Sequence, residues 1–367
     1  MMHCNQLLAR YGQRVLRASL GWALAVLMVG AVHAQPQSFQ EAKDAYAFGE
    51  YEEAIDLFSG VAQDESVDRE VRKEALRYLG RAYIVKDERD KAREAIRTLI
   101  EFEPPLVQLD PNREPPPIMK LYYEVRKQVE GGYGVETEGP GLQTLAIMDF
   151  TNGSVHERER YQSLSKGFPS MMINYMTGAT DLKVIERERI QWILDELKLQ
   201  QQSGVVDQST AVRIGKLMGA NAVLFGTFIM QEDEMWLSTR MVKVETSEIL
   251  LAEKVMGEPE DFFELIEELS LKMTRAINVE MEETEMGTGS ATRSLDAVLA
   301  YSDGLEELED GNYRAAYEKF LEAQEHDPNY KQAQIKAESL KPMLAVSSPD
   351  TTGGSGDSGD TGDAPQP

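Results

Sequence analysis

The chain has 367 residues, enough for two or three domains, and 42% of them are hydrophobic, which is the usual proportion for a folded protein. Its 63 acidic residues outnumber its 38 basic residues and give a formal net charge of −25. This charge argues against a nucleic-acid-binding protein, because phosphate contacts require a clustered cationic surface. Binding to an acidic membrane surface is disfavoured for the same reason.

The first 34 residues are typical of a secretory signal peptide. Arginines precede an apolar run over residues 18–32, and a small-residue cleavage site ends just before Gln35. A membrane anchor is the alternative, but a spanning helix needs about 20 apolar residues and this run is shorter. We therefore expect export to the periplasm, with outer-membrane association left open, and no integral membrane span after cleavage. Because Gln35 rather than cysteine follows the site, no acyl anchor is predicted.

Histidine and cysteine are too scarce for several kinds of chemistry. The chain has four histidines and one cysteine, and cleavage would leave only His156, His326 and no thiol. Disulfides, cysteine nucleophiles and zinc sites built from several Cys or His ligands are therefore excluded from the mature chain. We expect neither a metal nor another cofactor.

Within a predicted helical region at 35–130, residues 39–103 show helical periodicity, with small residues where two helices should cross. In the second of two units, Gly80 and Ala92 fall at the crossing, large apolar residues recur on one face, and Pro104 ends the unit. The first unit, around Gly49, is less complete. These spacings resemble the tetratricopeptide repeat, a helical hairpin of about 34 residues that commonly binds peptides. We predict two such repeats followed by a capping helix.

A glycine-rich linker at 131–142 leads into a region, residues 143–283, where strands alternate with helices. Buried strands are indicated by apolar runs and helices by apolar residues at spacings of three and four. The predicted elements are a strand at 144–150, a helix at 164–178, a strand at 182–186, a helix over 190–197, a helix from Asp207 or Ser209 to Met218, a hairpin of 222–230 and 235–244, a strand at 251–256 and a helix from Pro259. This order predicts an α/β fold with one mixed sheet and helices packed on it.

Three segments of this region resemble the CsgG family, the curli assembly and transport component, and more loosely the amino-terminal domain of TolB and the outer-membrane activators of penicillin-binding proteins. They are residues 145–150, residues 184–196 with the Glu186-Arg187 dipeptide, and residues 214–227, whose glycines make the third the most specific. The resemblance implies a periplasmic domain used in secretion or envelope assembly, in which Arg187 could fix the edge of the sheet. It does not imply a pore, because the acylated cysteine of the curli channel is missing and the hairpins have no length to spare for membrane strands.

Residues 290–344 contain the most complete repeat, with Gly304, Gly311 and Phe320 at its spacings and a helix from Lys331 to about Leu340 as a cap. A single repeat cannot bury its apolar face. We therefore infer that this hairpin packs on the middle domain, on the amino-terminal repeats or on another subunit. The rest of the chain, residues 345–367, is rich in Ser, Gly and Asp and is predicted to be a disordered acidic tail.

The face that tetratricopeptide proteins usually offer to peptides is the inner surface of the first helix of each repeat. The candidate protein-binding residues on that face are Arg77, Arg81 and Ile84 in the second unit and Val298, Tyr301, Leu305 and Leu308 in the third. The two arginines could receive an acidic peptide or a carboxy-terminus. The apolar set fits a protein partner or packing against the middle domain equally well, and both interpretations stay open.

Catalysis has one weak candidate. Asp149, Ser154 and His156 lie close together in the sequence, but this spacing alone does not bring their side chains into hydrogen-bonding contact. We predict a solvated loop there and no enzyme. The predicted function is a non-enzymatic periplasmic adaptor or scaffold for envelope or secretion-complex assembly, with protein partners and homo-oligomerisation left open. The alternative is an oligomeric outer-membrane secretion channel component of the curli type.

Overall fold

The computed structural model describes residues 36–102, 104, 106–133, 144–179, 182–196, 208–276 and 292–346. The predicted signal peptide, most of the predicted linker and the predicted tail beyond Val346 lie outside the described residues. The chain forms two compact units, one that ends at Leu79 and one that begins at Gly80. Helices on both sides of the predicted linker belong to the second unit, and the predicted domain bounds stay a prediction.

The first unit is built from helices. Its elements are α1 (Gln37–Phe48), α2 (Tyr51–Gln63) and the beginning of α3 (Arg69–Val85). Aromatic rings hold them together: Phe58 stacks on Tyr78 with ring centroids 4.9 Å apart, and Phe39 meets Phe58 edge to face at 5.8 Å. The helices lie where periodicity predicts them, while membership of the tetratricopeptide family stays a prediction.

The second unit begins with helices as well. The end of α3 is followed by α4 (Arg89–Ile100) and α5 (Pro116–Glu130). A methyl group added at Gly80 would lie 2.9 Å from Ile96 Cδ1, so these helices cross as closely as the sequence predicts. Gly304 likewise lies where two helices of the carboxy-terminal hairpin cross closely, and a methyl group added there would lie 2.6 Å from the ring of Phe320.

Six strands form one mixed sheet at the centre of the second unit. They are β1 (Thr144–Ile147), β2 (Thr151–Asn152), β3 (Lys183–Ile185), β4 (Ala222–Gln231), β5 (Glu234–Lys243) and β6 (Ile249–Gly257). The order is β3-β1-β4-β5-β6, with β2 beside β4. β1, β2 and β3 make parallel pairs and β4, β5 and β6 an antiparallel meander, so the predicted mixed α/β sheet is confirmed.

Helices cover the sheet. They are α6 (Leu164–Ala179), α7 (Arg187–Glu196), α8 (Gln208–Met218) and α9 (Phe262–Ala276). The main core lies on the side of α6 and α9, where Phe168 meets Phe228 edge to face at 5.3 Å and Leu237 and Leu269 are fully buried. α8 packs against β4 and β5, where a methyl group added at Gly215 would clash with Val223 and Val244.

Three carboxy-terminal helices complete the unit: α10 (Leu295–Glu309), α11 (Tyr313–His326) and α12 (Lys331–Val346). The prediction that the last helix ends near Leu340 is wrong, because α12 continues through Pro342 to Val346. Leu340 and Met343 are buried on either side of Pro342. Their packing holds the helix together at a residue that lacks a backbone N–H.

Candidate functional site

A cleft of about 1010 Å³ lies in the second unit between α5, α7 and the carboxy-terminal helices. Nine of the residues that line it are apolar or aromatic: Ile84, Pro116, Pro117, Met119, Tyr123, Trp192, Leu308, Tyr313 and Met343. Twelve others have charged or amide side chains, among them the exposed Arg89, Lys120 and Asp195. The cleft is therefore more polar than the usual small-molecule site, whose wall is predominantly apolar.

Tyr123 and Trp192 are the distinctive pair in this wall. Their rings stack with centroids 5.6 Å apart, and Tyr133 contacts the other side of Trp192 at the same distance. Tyr123 is 4% exposed, and its hydroxyl has no hydrogen-bond partner in the part of the chain that the structure describes. Burial raises the pKa of Tyr123 well above its ordinary value, so the phenol is neutral. A buried hydroxyl left without a partner costs about 1–3 kcal/mol.

An ion network closes one side of the cleft. Arg187 begins α7 just after β3, and it donates to Asp149, just after β1, with Nε–Oδ1 at 3.1 Å and Nη2–Oδ2 at 3.2 Å. The two strands are parallel neighbours, so their carboxyl ends bring these residues together. Lys166 lies 3.4 Å from Asp149 Oδ2, and Glu309 of α10 pairs with both Arg187 and Lys166. The network thus joins the sheet to the carboxy-terminal hairpin.

A second ion pair lies deeper. Lys336 of α12, 3% exposed, donates to Glu188 Oε1 at 2.6 Å and to the carbonyl oxygen of Pro111 at 3.3 Å. Removal from water alone would lower the pKa of Lys336, but the carboxylate of Glu188 outweighs it and the pKa is raised. Burial would likewise raise the pKa of Glu188, and the charge of Lys336 outweighs this and lowers it. Both groups are therefore charged at neutral pH.

The weak catalytic candidate does not assemble in the structure. Burial would raise the pKa of Asp149, but Arg187 and Lys166 outweigh it and the pKa lies below its usual value, so the group is an ionised partner of two cations. Ser154 Oγ accepts a hydrogen bond from Met230 N at 2.9 Å. His156 is exposed, and no hydrogen bond of Ser154 reaches it.

Among the described residues, no group of three or more His, Cys, Asp or Glu side chains could hold a metal ion. No described helix has both the length and the apolar character to cross a membrane.

The predicted apolar binding face needs a correction. Its four residues are all buried: Val298, Tyr301, Leu305 and Leu308. Val298 belongs to the core under the sheet, and the Tyr301 hydroxyl lies 3.5 Å from Ser170 Oγ of α6. A methyl group added at Gly167 of α6 would lie 1.9 Å from Ser302 Oγ, so α6 and α10 touch almost backbone to backbone. The hairpin therefore packs on the middle domain, which was one of the interpretations left open.

The three predicted residues on α3 have different surroundings. Arg81 donates to the buried carboxylate of Glu114 at 2.9 Å, so its charge is paired within the fold. Arg77 is half-buried and is already engaged in an interaction of its own. Ile84 lines the cleft, as does the edge of Leu308.

Sequence reasoning missed Tyr123, Trp192 and Lys336. Tyr123 and Trp192 belong to helices that were predicted, but nothing in either helix indicates that the two rings stack. Lys336 is 148 residues from its partner Glu188, and an amphipathic helix normally exposes its lysines. A lysine on the apolar side of the predicted cap was the one available signal.

Known proteins match part of the chain. The family model described as "Curli production assembly/transport component CsgG" matches residues 140–230, which run from β1 to β4 and cover about a quarter of the chain. Among curated protein sequences, no relative matches.

Several solved structures are similar to part of the chain at low identity. The LpoB C-terminal domain from Salmonella enterica is 14% identical, with 38% of this chain and 95% of that chain covered and a TM-score of 0.24. Lipoprotein GNA1162 from Neisseria meningitidis is 9% identical, with 36% and 96% covered and a TM-score of 0.27. TolB from Acinetobacter baumannii is 9% identical, with 43% and 40% covered and a TM-score of 0.27. Each covers less than half of this chain, and none of them assigns a function to it.

Proposed function

We propose that this chain is a non-enzymatic adaptor of the cell envelope, exported to the periplasm, and that the cleft binds an extended segment of a partner protein. The match of residues 140–230 to the curli assembly and transport family supports the envelope setting. The single observation that carries the binding role is the aromatic part of the cleft wall, where the ring of Tyr123 stacks on that of Trp192.

The size and the rigidity of the cleft favour a peptide. Small-molecule sites usually measure about 300–1,000 Å³, so a cleft of about 1010 Å³ lies at the upper end of that range. Its walls come from helices that the Arg187 and Lys336 ion pairs hold in place. Binding to a preformed site loses less conformational entropy than binding to a flexible site.

Site-specific photocrosslinking tests this proposal. A photoreactive phenylalanine analogue would replace Tyr313, which lines the cleft, in one variant and Tyr317, one turn further along α11 and outside the cleft, in the matched control. In envelope extracts we expect a discrete protein adduct at position 313 and none at position 317. Equal adducts at both positions would contradict the role of the cleft, and turnover of a small molecule by the purified chain would contradict the adaptor.

A second candidate function is an oligomeric secretion channel component of the curli type, which the family match favours. This candidate predicts a ring-shaped assembly that leaves the outer membrane only with detergent. The adaptor predicts a monodisperse protein released with the periplasmic fraction. Sedimentation of the native protein from both fractions separates the two functions.

A further inference from the structure

The meander has an outer face, turned away from the core that α6 and α9 form with the sheet. α8 packs there against β4 and β5. Further along, Ile229 is opposite Trp236 and Trp236 is opposite Met256, so these three side chains form a row across β4, β5 and β6. Met256 is 60% exposed, and Ile229 and Trp236 are half-buried.

Two cations lie on the same face as this row. The Nζ atom of Lys254 lies 3.8 Å from the centroid of the Trp236 ring, and Arg240 is exposed on the same face. Neither forms an ion pair with any residue that the structure describes. Glu234 at the hairpin end accepts from Trp236 Nε1 at 3.1 Å. Arg240 and Lys254 belong to neighbouring cross-strand pairs, with Ala252 and Ser238, so one face of the sheet carries two neighbouring cations in a chain with a net charge of −25.

The strand that carries Lys254 is also an open edge. β6 has nine residues, contains no proline and, within the described ranges, pairs only with β5. Natural edge strands are often protected by a lysine that extends past the edge. Lys254 leans back over Trp236 on β5 instead, and on the inner face Glu253 is held by Lys272 at 3.4 Å. Within the described ranges, the backbone N–H and C=O groups along the outer edge of β6 therefore have no strand partner.

We propose that β6 accepts an extended acidic segment of a partner protein as an additional strand. The backbone of the segment pairs with the edge, as in other strand-addition complexes. Carboxylates of the segment that point to the outer face then lie beside Lys254. Arg240 is opposite Ala252 on β6, and because that side chain is small, Arg240 can reach a carboxylate beyond it. A membrane surface would use the row of apolar residues and the cations but leave the edge unused.

The net negative charge of the chain does not prevent this recognition. At physiological ionic strength, charges more than about 8 Å away are largely screened. A carboxylate that approaches the edge therefore meets the two local cations rather than the charge of the whole molecule. The affinity should fall as salt is added.

Hydrogen exchange with a synthetic peptide tests the proposal. The probe is a short peptide of alternating valine and glutamate, blocked at both ends, added to the mature full-length protein. We expect the backbone amides of β6 to become protected, and we expect the double variant Arg240→Glu, Lys254→Glu to weaken peptide binding by about tenfold or more, because favourable cross-strand pairs become repulsive. The matched control is Lys183→Glu, an exposed lysine on the opposite edge strand β3, which should leave peptide binding unchanged.

Four outcomes would overturn the proposal. They are no protection of β6 by the peptide, equal protection by a valine-lysine peptide, protection by phosphatidylglycerol vesicles in place of the peptide, and protection that appears with rising protein concentration alone. The last two would assign the surface to a membrane or to a second copy of the chain. Circular dichroism of each variant establishes that it is folded, and none of these outcomes depends on the cleft.

Discussion

The charges in the ion network beside the cleft are paired with one another, whereas two cations on the outer face of β5 and β6 have no described carboxylate partner. Around Arg187, three cations and three carboxylates are matched within the fold and join the sheet to α10 and α12. On the outer face, Arg240 and Lys254 have no described carboxylate partner. The comparison separates charges that hold the molecule together from charges that remain available to another molecule. Substitutions in the first region should change stability, and those in the second should change binding.

The largest effect is expected from Arg187→Met. Removing the guanidinium leaves Asp149 and Glu309 with only Lys166 between them, and breaking a buried ion pair typically costs about 3–5 kcal/mol. Urea denaturation measures the free energy of unfolding. The control is Arg160→Met, which removes an exposed pair with Glu157 and should cost at most about 1 kcal/mol. Equal losses in both variants would show that the network contributes no more than a surface pair.

Glu188→Gln should destabilise by about 3 kcal/mol at neutral pH, because it leaves the buried Lys336 without a counter-charge. The effect should depend on pH in a defined direction. The pKa of Glu188 is lowered in the folded protein, so its contribution is complete above the ordinary glutamate pKa and is lost as the pH falls through the lowered one. The pKa of Lys336 is raised in the folded protein, so the contribution of Lys336 to stability is lost only as the pH rises through that raised pKa, at strongly alkaline pH.

Unfolding free energies of wild type and Glu188→Gln, measured across the acidic range, check this prediction. The difference between the two proteins should be constant at neutral pH and shrink at the acidic end. A difference that is independent of pH would contradict the ion pair.

Gly167→Ala tests the contact that fixes α10 on α6. The added methyl group would meet Ser302 Oγ at 1.9 Å, and overpacking of this kind costs about 1–3 kcal/mol. The double variant Gly167→Ala, Ser302→Gly removes the clash and should recover part of the loss. Failure of the second substitution to restore any stability would mean that Gly167 is needed for another reason.

Tyr123→Phe should stabilise the free protein by about 1 kcal/mol, because it removes a buried hydroxyl that lacks a described partner. Thermal unfolding is the measurement. A loss of stability instead would show that the hydroxyl already has a partner within the chain.

The smallest effect on stability is expected from the double variant Arg240→Glu, Lys254→Glu. Both side chains are exposed and form no described ion pair, so their reversal should change the unfolding free energy by less than about 1 kcal/mol. Urea denaturation of the purified variant checks this. A loss as large as that of Arg187→Met would mean that these cations also hold the fold together, and the contrast between the two regions would disappear.

Local patterns in the sequence predict most of the fold. The meander from 222 to 257 lies within a few residues of its predicted bounds, because alternation and short turns specify it locally. The placement of α10 on α6 could only be left as one alternative, since the Gly167–Ser302 contact joins residues that no periodicity relates. The sequence predicts Ile84 as a binding residue but does not predict the cleft that Ile84 lines, because the cleft wall comes from distant parts of the chain. The apolar pattern of Val298, Tyr301, Leu305 and Leu308 predicts that these residues need cover, but does not say which surface provides it.

Hydrogen exchange of the mature protein under native conditions tests most directly whether α10 is part of the α/β unit rather than a free repeat. The account predicts that the amides of α10 and α6 open with the same free energy and that Arg187→Met lowers both together. Exchange of α10 by its own, easier opening while α6 stays protected would contradict it. The buried apolar face of the hairpin would then be accessible to partners.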